Sequence, residues 1–185
     1  MVMKMKKLLK EMIPIVLGIL IALFINKWKE DWNNKKFIER AFASINQEIQ
    51  ENRDAIQEVL PKQQVLLNIL EREGAIHGKS IAEIIDNNHG IQVPTLKNTA
   101  WKFYVNSRTE LIDYQIISQL TAMEESKKLL DIKVNKLLDF LYRNMEKSDK
   151  QSLRIFKYLI HNIIDSENQL TWMYDHYLTG KELPD

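Results

Sequence analysis

The chain has no cysteine among its 185 residues, and this absence excludes several kinds of chemistry. Disulfide bridges, cysteine-ligated zinc, iron–sulfur clusters and a thiol nucleophile all need the thiol group. The lack of cysteine does not identify the cellular compartment, because a protein without cysteine tolerates oxidising and reducing surroundings alike.

Glycine and proline are also scarce, with five and four residues respectively. Both interrupt helices, so their scarcity favours helix over sheet. The net charge is only +1, which gives no bulk attraction to nucleic acid, and we predict no nucleic-acid partner. The hydrophobic fraction of 45% is typical of a folded protein.

Catalytic and phosphate-binding motifs are missing as well. The sequence contains no Gly-rich phosphate loop, Gly-x-Ser-x-Gly, His-Glu-x-x-His or Glu-x-x-His. His161 and Asp165 share a helical face as an ordinary surface pair, His176 is about 22 Å from His161 along the helix, and His89 fits a turn. We therefore predict no catalytic, cofactor-binding or metal-binding residues, and a protein that is not an enzyme.

What the sequence does contain is a run of fourteen apolar residues at 12–25. As a helix this run rises about 21 Å, less than the roughly 30 Å of a bilayer core. Leu8, Leu9 and Trp28 extend the apolar surface to about 31 Å. A removable signal peptide and a buried core helix are the alternatives, but no pair of small residues after Ala22 fits a cleavage site. We favour an uncleaved transmembrane anchor over 12–28, after a basic tail over 1–11.

The flanks of the run suit the membrane interface. Lys10 and Lys27 can extend toward the headgroups, and Trp28 and Trp32 are typical interfacial residues, so these four are predicted to contact the lipid bilayer. Pro14 either begins the spanning helix or kinks it. Basic residues on the N-terminal side are the denser set, which favours a cytoplasmic N-terminus and a periplasmic main domain in a bacterial inner membrane. A cytoplasmic domain is the alternative.

Residues 29–185 form the predicted helical domain. The first long helix can be continuous with the anchor. Along it, apolar residues recur at alternating intervals of four and three residues, and we call this row of packing positions the seam. Pro61 is expected to kink or split this helix. Asn52 either sets the register in which the helices pack or marks a point where the helix turns away from the seam, and we favour the second interpretation. The seam positions are Ile38, Phe42, Ile45, Ile49, Asn52, Ile56, Val59, Gln63, Leu66 and Leu70.

Gly74 and Gly78 are expected to end this first helix, and Gly180 and Pro184 to end the last helix of the chain. Shorter elements follow Gly78. Ser80 is expected to cap a helix ending at Asp86, the residues 87–90 suit a turn, and Thr95 or Asn98 is expected to cap another short helix.

Two more long helices complete the domain, the first capped by Asp113 and the second running over 150–178. The apolar residues along one face of each helix predict that the helices pack against each other. The predicted fold is therefore all-α, with one N-terminal transmembrane helix followed by an antiparallel bundle of about three long and one or two short helices. The seam positions are Ile116, Leu120, Met123, Lys127, Leu130, Val134, Leu137, Leu141 and Met145, then Leu153, Phe156, Ile160, Ile163, Glu167, Leu170, Tyr174 and Tyr177.

Aromatic residues gather near Trp101 and near the end of the chain. Trp101 is expected in the core, because large aromatic side chains dominate core energetics. Tyr174 and Tyr177 suit either the core or a binding patch, and we take them as a candidate partner surface.

The order of motifs resembles an uncharacterised family of single-span membrane proteins found widely in Gram-negative Bacteroidota. The resemblance rests on the apolar span ending in 25–30 (Ile-Asn-Lys-Trp-Lys-Glu), on 99–101 (Thr-Ala-Trp) and on 110–114 (Glu-Leu-Ile-Asp-Tyr). Lys27 and Lys29 depart from the family, in which Asn is usual. The resemblance covers most of the chain and implies a membrane-anchored helical domain in a Gram-negative envelope, with no known activity.

These observations predict a non-enzymatic, membrane-anchored protein that binds an envelope protein or a second copy of itself. The alternatives are a regulator that binds a small ligand between its helices and, least favoured, a hydrolase that uses histidine and acid.

Overall fold

The computed structural model describes residues 2–72 and 78–180, with side chains from Met12 onward. The predicted all-α fold is confirmed, since this part of the chain holds three long and two short helices and no strand. A 3-10 turn at Thr109–Leu111 separates α3 from α4. Gly74 and Pro184, expected to end helices, lie outside the described residues. The helices are α1 Val2–Glu71, α2 Ile81–Asp86, α3 Thr99–Ser107, α4 Tyr114–Asn144 and α5 Lys150–Leu178.

Helix α1 runs unbroken through both of its prolines. The expectation that Pro61 splits the helix is wrong, and so is the alternative that the helix begins at Pro14. A kink at either proline stays a prediction. Pro61 lies on the exposed side of α1, where water can bond the carbonyl group that a proline leaves without a donor. The predicted continuity between the span and the first domain helix is confirmed.

The chain divides into two compact units, Met1–Ala43 and Ser44–Asp185. The first unit carries the apolar run, and its side chains over 12–25 are exposed, as in Ile13 at 55% and Phe24 at 73%. One helix in the described part of the chain is long and apolar enough to cross a membrane, and its most apolar stretch has no buried residue. The first unit therefore carries a candidate membrane span.

The second unit is the helical bundle. The short connection 145–149 joins α4 to α5, so these two helices pack as an antiparallel hairpin. The part of α1 that belongs to this unit contributes a row of buried apolar side chains to the same core, which includes the fully buried Phe156. The seam predictions are confirmed most fully on α1 and α5, where every predicted position from Ile45 to Leu70 and from Leu153 to Tyr174 is buried.

Local capping fixes where the helices of the bundle begin. Ser80 and Glu83 form a reciprocal capping box at α2. Asp113 accepts a hydrogen bond from the Gln115 amide at α4, as predicted, and Asp149 accepts one from the Ser152 amide at α5. The bonds to Ser152 lower the pKa of the Asp149 carboxyl group.

Helix α2 is also bonded to the connection between α4 and α5. The amide of Ile81 donates to the carbonyl of Lys147, and that of Ala82 donates to Met145, both at 2.9 Å. Helix ends leave amide and carbonyl groups without partners inside the helix. Here the free amides of one helix end meet free carbonyls at the end of another.

Candidate functional site

The polar side chains of the bundle meet residues 87–98, which we call the connecting segment. It begins with a turn in which His89 and Gly90 have left-handed φ values of 62° and 84°, as the turn prediction for His89 implies. From residue 90 to 98 the backbone has no helix or strand. Its polar backbone groups therefore need partners from elsewhere.

Asn52 of α1 supplies two of those partners. Its Nδ2 donates to the carbonyl of Lys97 at 2.8 Å, and its Oδ1 accepts from the amide of Lys97 at 2.7 Å. The side chain is only 4% exposed. The expectation that the helix drifts from the seam at Asn52 is wrong: this position faces inward because its amide matches the backbone of the connecting segment.

Replacing Asn52 with alanine removes both hydrogen bonds and leaves backbone groups of Lys97 without these partners. We expect the free energy of unfolding to fall by about 2–3 kcal/mol. Urea denaturation followed by circular dichroism measures the change, and Asn46→Ala at an exposed position of the same helix is the matched control. Equal stability of the two variants would contradict this role.

Glu48 lies one helical turn before Asn52 on α1. It caps the N-terminus of α3, although the two are 51 residues apart in the sequence. Its Oε2 accepts hydrogen bonds from the amides of Thr99 at 2.7 Å and Ala100 at 2.9 Å. Asn98 occupies the predicted N-cap position but makes no side-chain cap bond, and Thr95 lies before that position. A carboxylate from another helix takes their place, because its charge suits the positive N-terminal end of α3.

Gln63 lies three turns beyond Asn52 and is 3% exposed. The two hydrogens of its amide nitrogen are both used, one by the carbonyl of Gln92 and one by Oε1 of Glu167, each at 2.9 Å. Because both neighbours are acceptors, the amide has only one favourable orientation. Gln63 thus joins α1, α5 and the connecting segment.

Glu167 is the most unusual residue of this group. It is 0% exposed, and burial raises the pKa of its carboxyl group to about 7, although the hydrogen bond from Gln63 acts in the opposite direction. Two buried oxygens here have no hydrogen-bond donor among the described residues, namely Oε2 of Glu167 and Oε1 of Gln63. Buried polar atoms without partners are rare and call for a physical explanation.

A surface cleft of about 510 Å³ adjoins Gln63. It lies between one turn of α1 and the start of the connecting segment. Lys62 crosses it through a hydrogen bond of 2.8 Å to Oε1 of Gln92. Small-molecule sites commonly fall in this size range. The cleft is lined by Lys62, Gln63, Val65, Leu66 and residues 87–92.

A small space of about 30 Å³ lies beside Asn52, Trp101 and Tyr174. It has room for little more than one water molecule. Trp101 itself is buried, as predicted, and its Nε1 donates to Oε2 of Glu124 at 3.2 Å.

The predicted partner surface at Tyr174 and Tyr177 is not an exposed patch. Tyr174 is 3% exposed and belongs to the core, so its assignment to a surface is wrong. Tyr177 is half-buried and packs against the same core. Burial raises the pKa of each phenol to about 12. Both tyrosines pack on the core because they continue the seam along the inner face of α5.

The predicted membrane-interface residues fall in the first unit. Trp28 is 68% exposed, and Trp32 lies 3.6 Å, centroid to Nζ, beneath the ammonium group of Lys36. Lys27 is exposed, whereas the side chain of Lys10 lies outside the described residues. Their contact with lipid stays a prediction.

The histidines form no catalytic or metal cluster in the described chain. His161 Nε2 and Asp165 Oδ2 are 3.5 Å apart with both side chains more than half exposed, which is a surface pair. The ring of His176 packs on Trp172 with centroids 4.0 Å apart. Residues 2–72 and 78–180 contain no group of three or more His, Asp or Glu side chains suited to a metal.

In the sequence, Gln63 and Glu167 differ from their neighbours only in being polar residues at seam positions. This break in the apolar pattern was the one feature that could have pointed to them. Glu48 had no comparable signal, because its partners lie about fifty residues away. Comparisons with protein-family models, curated proteins and solved structures found no match to this chain. The resemblance to the Bacteroidota membrane family stays a prediction.

Proposed function

We propose that the protein is a membrane-anchored, non-enzymatic helical protein that acts as an interaction or scaffold component of a bacterial envelope complex. The observation that supports it best is the apolar run over 12–25, whose side chains are exposed throughout. In water such a surface costs about 25 cal/mol for each Å². A bilayer removes this cost, and the flanking Lys27, Trp28 and Trp32 suit its interface.

The bundle offers apolar surface for a protein partner. Several large apolar side chains are exposed on α4 and α5, and exposed apolar surface often marks an interaction site. The partner is an envelope protein or a second copy of the chain. The exposed side chains include Leu129, Ile132, Leu138, Tyr142, Tyr158 and Trp172.

The membrane anchor is tested by placing charge within it. In the variant Leu17→Arg, Leu20→Arg, each arginine costs about 2.5–3.5 kcal/mol in the bilayer centre. We expect the wild-type protein to stay in the membrane pellet after alkaline carbonate washing and the variant to be lost from it. Leu129→Arg, Ile132→Arg makes the same chemical change on the bundle and should stay membrane-bound. Release of the wild-type protein by carbonate would contradict the proposal.

The orientation is a separate part of the proposal, with the N-terminus in the cytoplasm and the bundle in the periplasm of the inner membrane. A reporter enzyme that is active only outside the cytoplasm, fused to the C-terminus, should be active. Activity of a cytoplasmic reporter alone would reverse the orientation.

Partner binding is tested by photo-crosslinking amino acids placed at Ile132 and at Tyr142, which is 92% exposed. The exposed Asn46 of α1 is the control position, because Glu125 lies on the same face of α4 as Ile132. We expect one adduct of defined mass from the apolar positions, either a dimer of this chain or a complex with one envelope protein. Adducts that are equally abundant from Asn46 would contradict a specific interface.

A second candidate function is supported by the cleft next to Gln63, which suits a regulator that binds a small ligand. Its test is thermal unfolding of the detergent-solubilised protein with a panel of small metabolites, since a ligand that binds the folded state raises the transition temperature. A ligand of this cleft should lose its effect in Val65→Glu, which places a charge on the lining. The same shift in that variant would remove the cleft from consideration.

A further inference from the structure

The two oxygens that lack donors belong to a matched pair of groups. A carboxylic acid and a primary amide form a ring of two hydrogen bonds, in which the amide N–H donates to one carboxyl oxygen and the carboxyl O–H donates to the amide oxygen. The first of these bonds is present, from Gln63 Nε2 to Glu167 Oε1 at 2.9 Å. A single proton on Oε2 of Glu167 would supply the second and would satisfy both unpartnered oxygens.

Burial favours the proton over an ionised carboxylate. Transfer of a carboxylate into a site with no exposure is costly unless a cation or several donors compensate. Gln63 provides the one donor that Glu167 has among the described side chains. The remaining explanation is a water molecule that donates to both oxygens, and it leaves the charge in place.

Several cationic groups on the elements around Glu167 contact partners other than its carboxyl group. From α1 and α4, Arg53 pairs with Asp175 and Lys127 pairs with Asp131. Lys133 donates to the carbonyl of Asn162 and to Ser166 Oγ. On α5, Lys157 pairs with Glu71. Lys62 contacts Glu58 and Gln92, Lys97 of the connecting segment pairs with Glu51, and the imidazole of His89 is exposed at the cleft.

We propose that Glu167 and Gln63 form a proton-binding site that holds the start of the connecting segment on the bundle, and that loss of this proton releases residues 87–92. The site is independent of the membrane anchor and of any protein partner. It makes the cleft next to Gln63 responsive to pH.

The coupling follows from the hydrogen bonds of one amide group. Gln63 uses its second N–H to hold the carbonyl of Gln92. Once Glu167 is ionised, its Oε2 requires a hydrogen-bond donor. Either the side-chain amide of Gln63 rotates to supply an N–H, or a water molecule enters beside Glu167 and donates to it. Either change disturbs the bond to Gln92. The other end of the connecting segment stays fixed, because Asn52 holds Lys97 without using a titratable group.

Hydrogen exchange of the full-length protein in detergent micelles tests the release. The amides of Asn88 and Gly90, which bond to the carbonyl of Ile85, report on the released end, and the amide of Lys97 serves as the internal control. With a pKa of about 7 in the closed form and the ordinary 4.5 after release, the opening equilibrium should rise about tenfold from pH 6 to pH 8. Protection factors corrected for intrinsic exchange should fall by that amount at Asn88 and Gly90, and less at Lys97.

The variant Glu167→Gln isolates the proton. A glutamine at this position presents an N–H where the acid presents its O–H, so the ring closes at every pH and the change in protection should disappear. Glu125→Gln, at an exposed position of α4, makes the same chemical change away from the site and should behave as wild type. Unchanged wild-type protection between pH 6 and pH 8, or an equal change in Glu167→Gln, would overturn the proposal.

Infrared spectroscopy of the wild-type protein with ¹³C-labelled glutamate gives a decision that does not depend on any variant folding. We expect the absorption of one protonated carboxyl group at pH 6 and its loss around pH 7. A spectrum in which every glutamate is ionised at pH 6 would show that a water molecule, and not a proton, fills the site.

Discussion

Replacing Phe156 with alanine is expected to lower the free energy of unfolding by about 3–5 kcal/mol, the largest effect we expect from a single substitution. Phe156 has no exposed surface and belongs to the cluster to which α1, α4 and α5 all contribute. Its removal loses the burial of a large ring and leaves a cavity that rigid helices fill only partly. Urea denaturation in a mild detergent, followed by circular dichroism, measures the difference.

Phe103→Ala is the matched control for this prediction. Phe103 is 63% exposed and makes an edge-to-face contact with Tyr104 at 5.1 Å between ring centroids. Loss of that contact should cost no more than about 1.5 kcal/mol. If both phenylalanine variants lost the same free energy, Phe156 would not be at the centre of a packed core.

The second large effect is a dependence of stability on pH that Glu167 causes. Its pKa is about 7 in the folded protein and 4.5 for an exposed glutamate, so the folded state binds more protons between these values. The free energy of unfolding should therefore be highest below pH 4.5, fall as the pH rises toward 7, and stay level above it. The difference amounts to about 3 kcal/mol.

Urea denaturation of wild type and Glu167→Gln at a series of pH values separates this contribution from that of other groups. The difference between the two stability curves should change by about 3 kcal/mol between pH 4.5 and pH 8, while the exposed-site variant Glu125→Gln should follow wild type. A difference that stays constant with pH would show that Glu167 titrates normally in the folded protein.

The helices of the bundle were predictable because their signals are local and repeated. Residues such as Ile45, Ile56 and Leu66 recur at the spacing of one helical face, and burial of that face needs no knowledge of the partner helix. Ser80 and Asp113 were predictable as caps for a similar reason, since a cap bonds amides within three residues of itself.

The polar contacts were harder to predict, because each depends on residues distant in sequence. Asn52 breaks the apolar pattern of its helix, and only the position of Lys97, 45 residues later, explains why it faces inward. Glu48 caps a helix that starts 51 residues away. Tyr174 fits both a core and a surface by its chemistry, and the packing of three helices decides between them.

The amide bonds between α2 and the end of α4 have a consequence for the order of folding. The α4–α5 hairpin needs only contacts between neighbours in the chain, and such contacts form quickly. Ile81 and Ala82 find their acceptors only after the chain has turned at 145–149, so α2 and the connecting segment should join late. Substitutions in α2 should then change the unfolding rate and leave the folding rate almost unaltered, with φ-values near zero. The segment that completes the bundle last is also the one we expect a proton to release first.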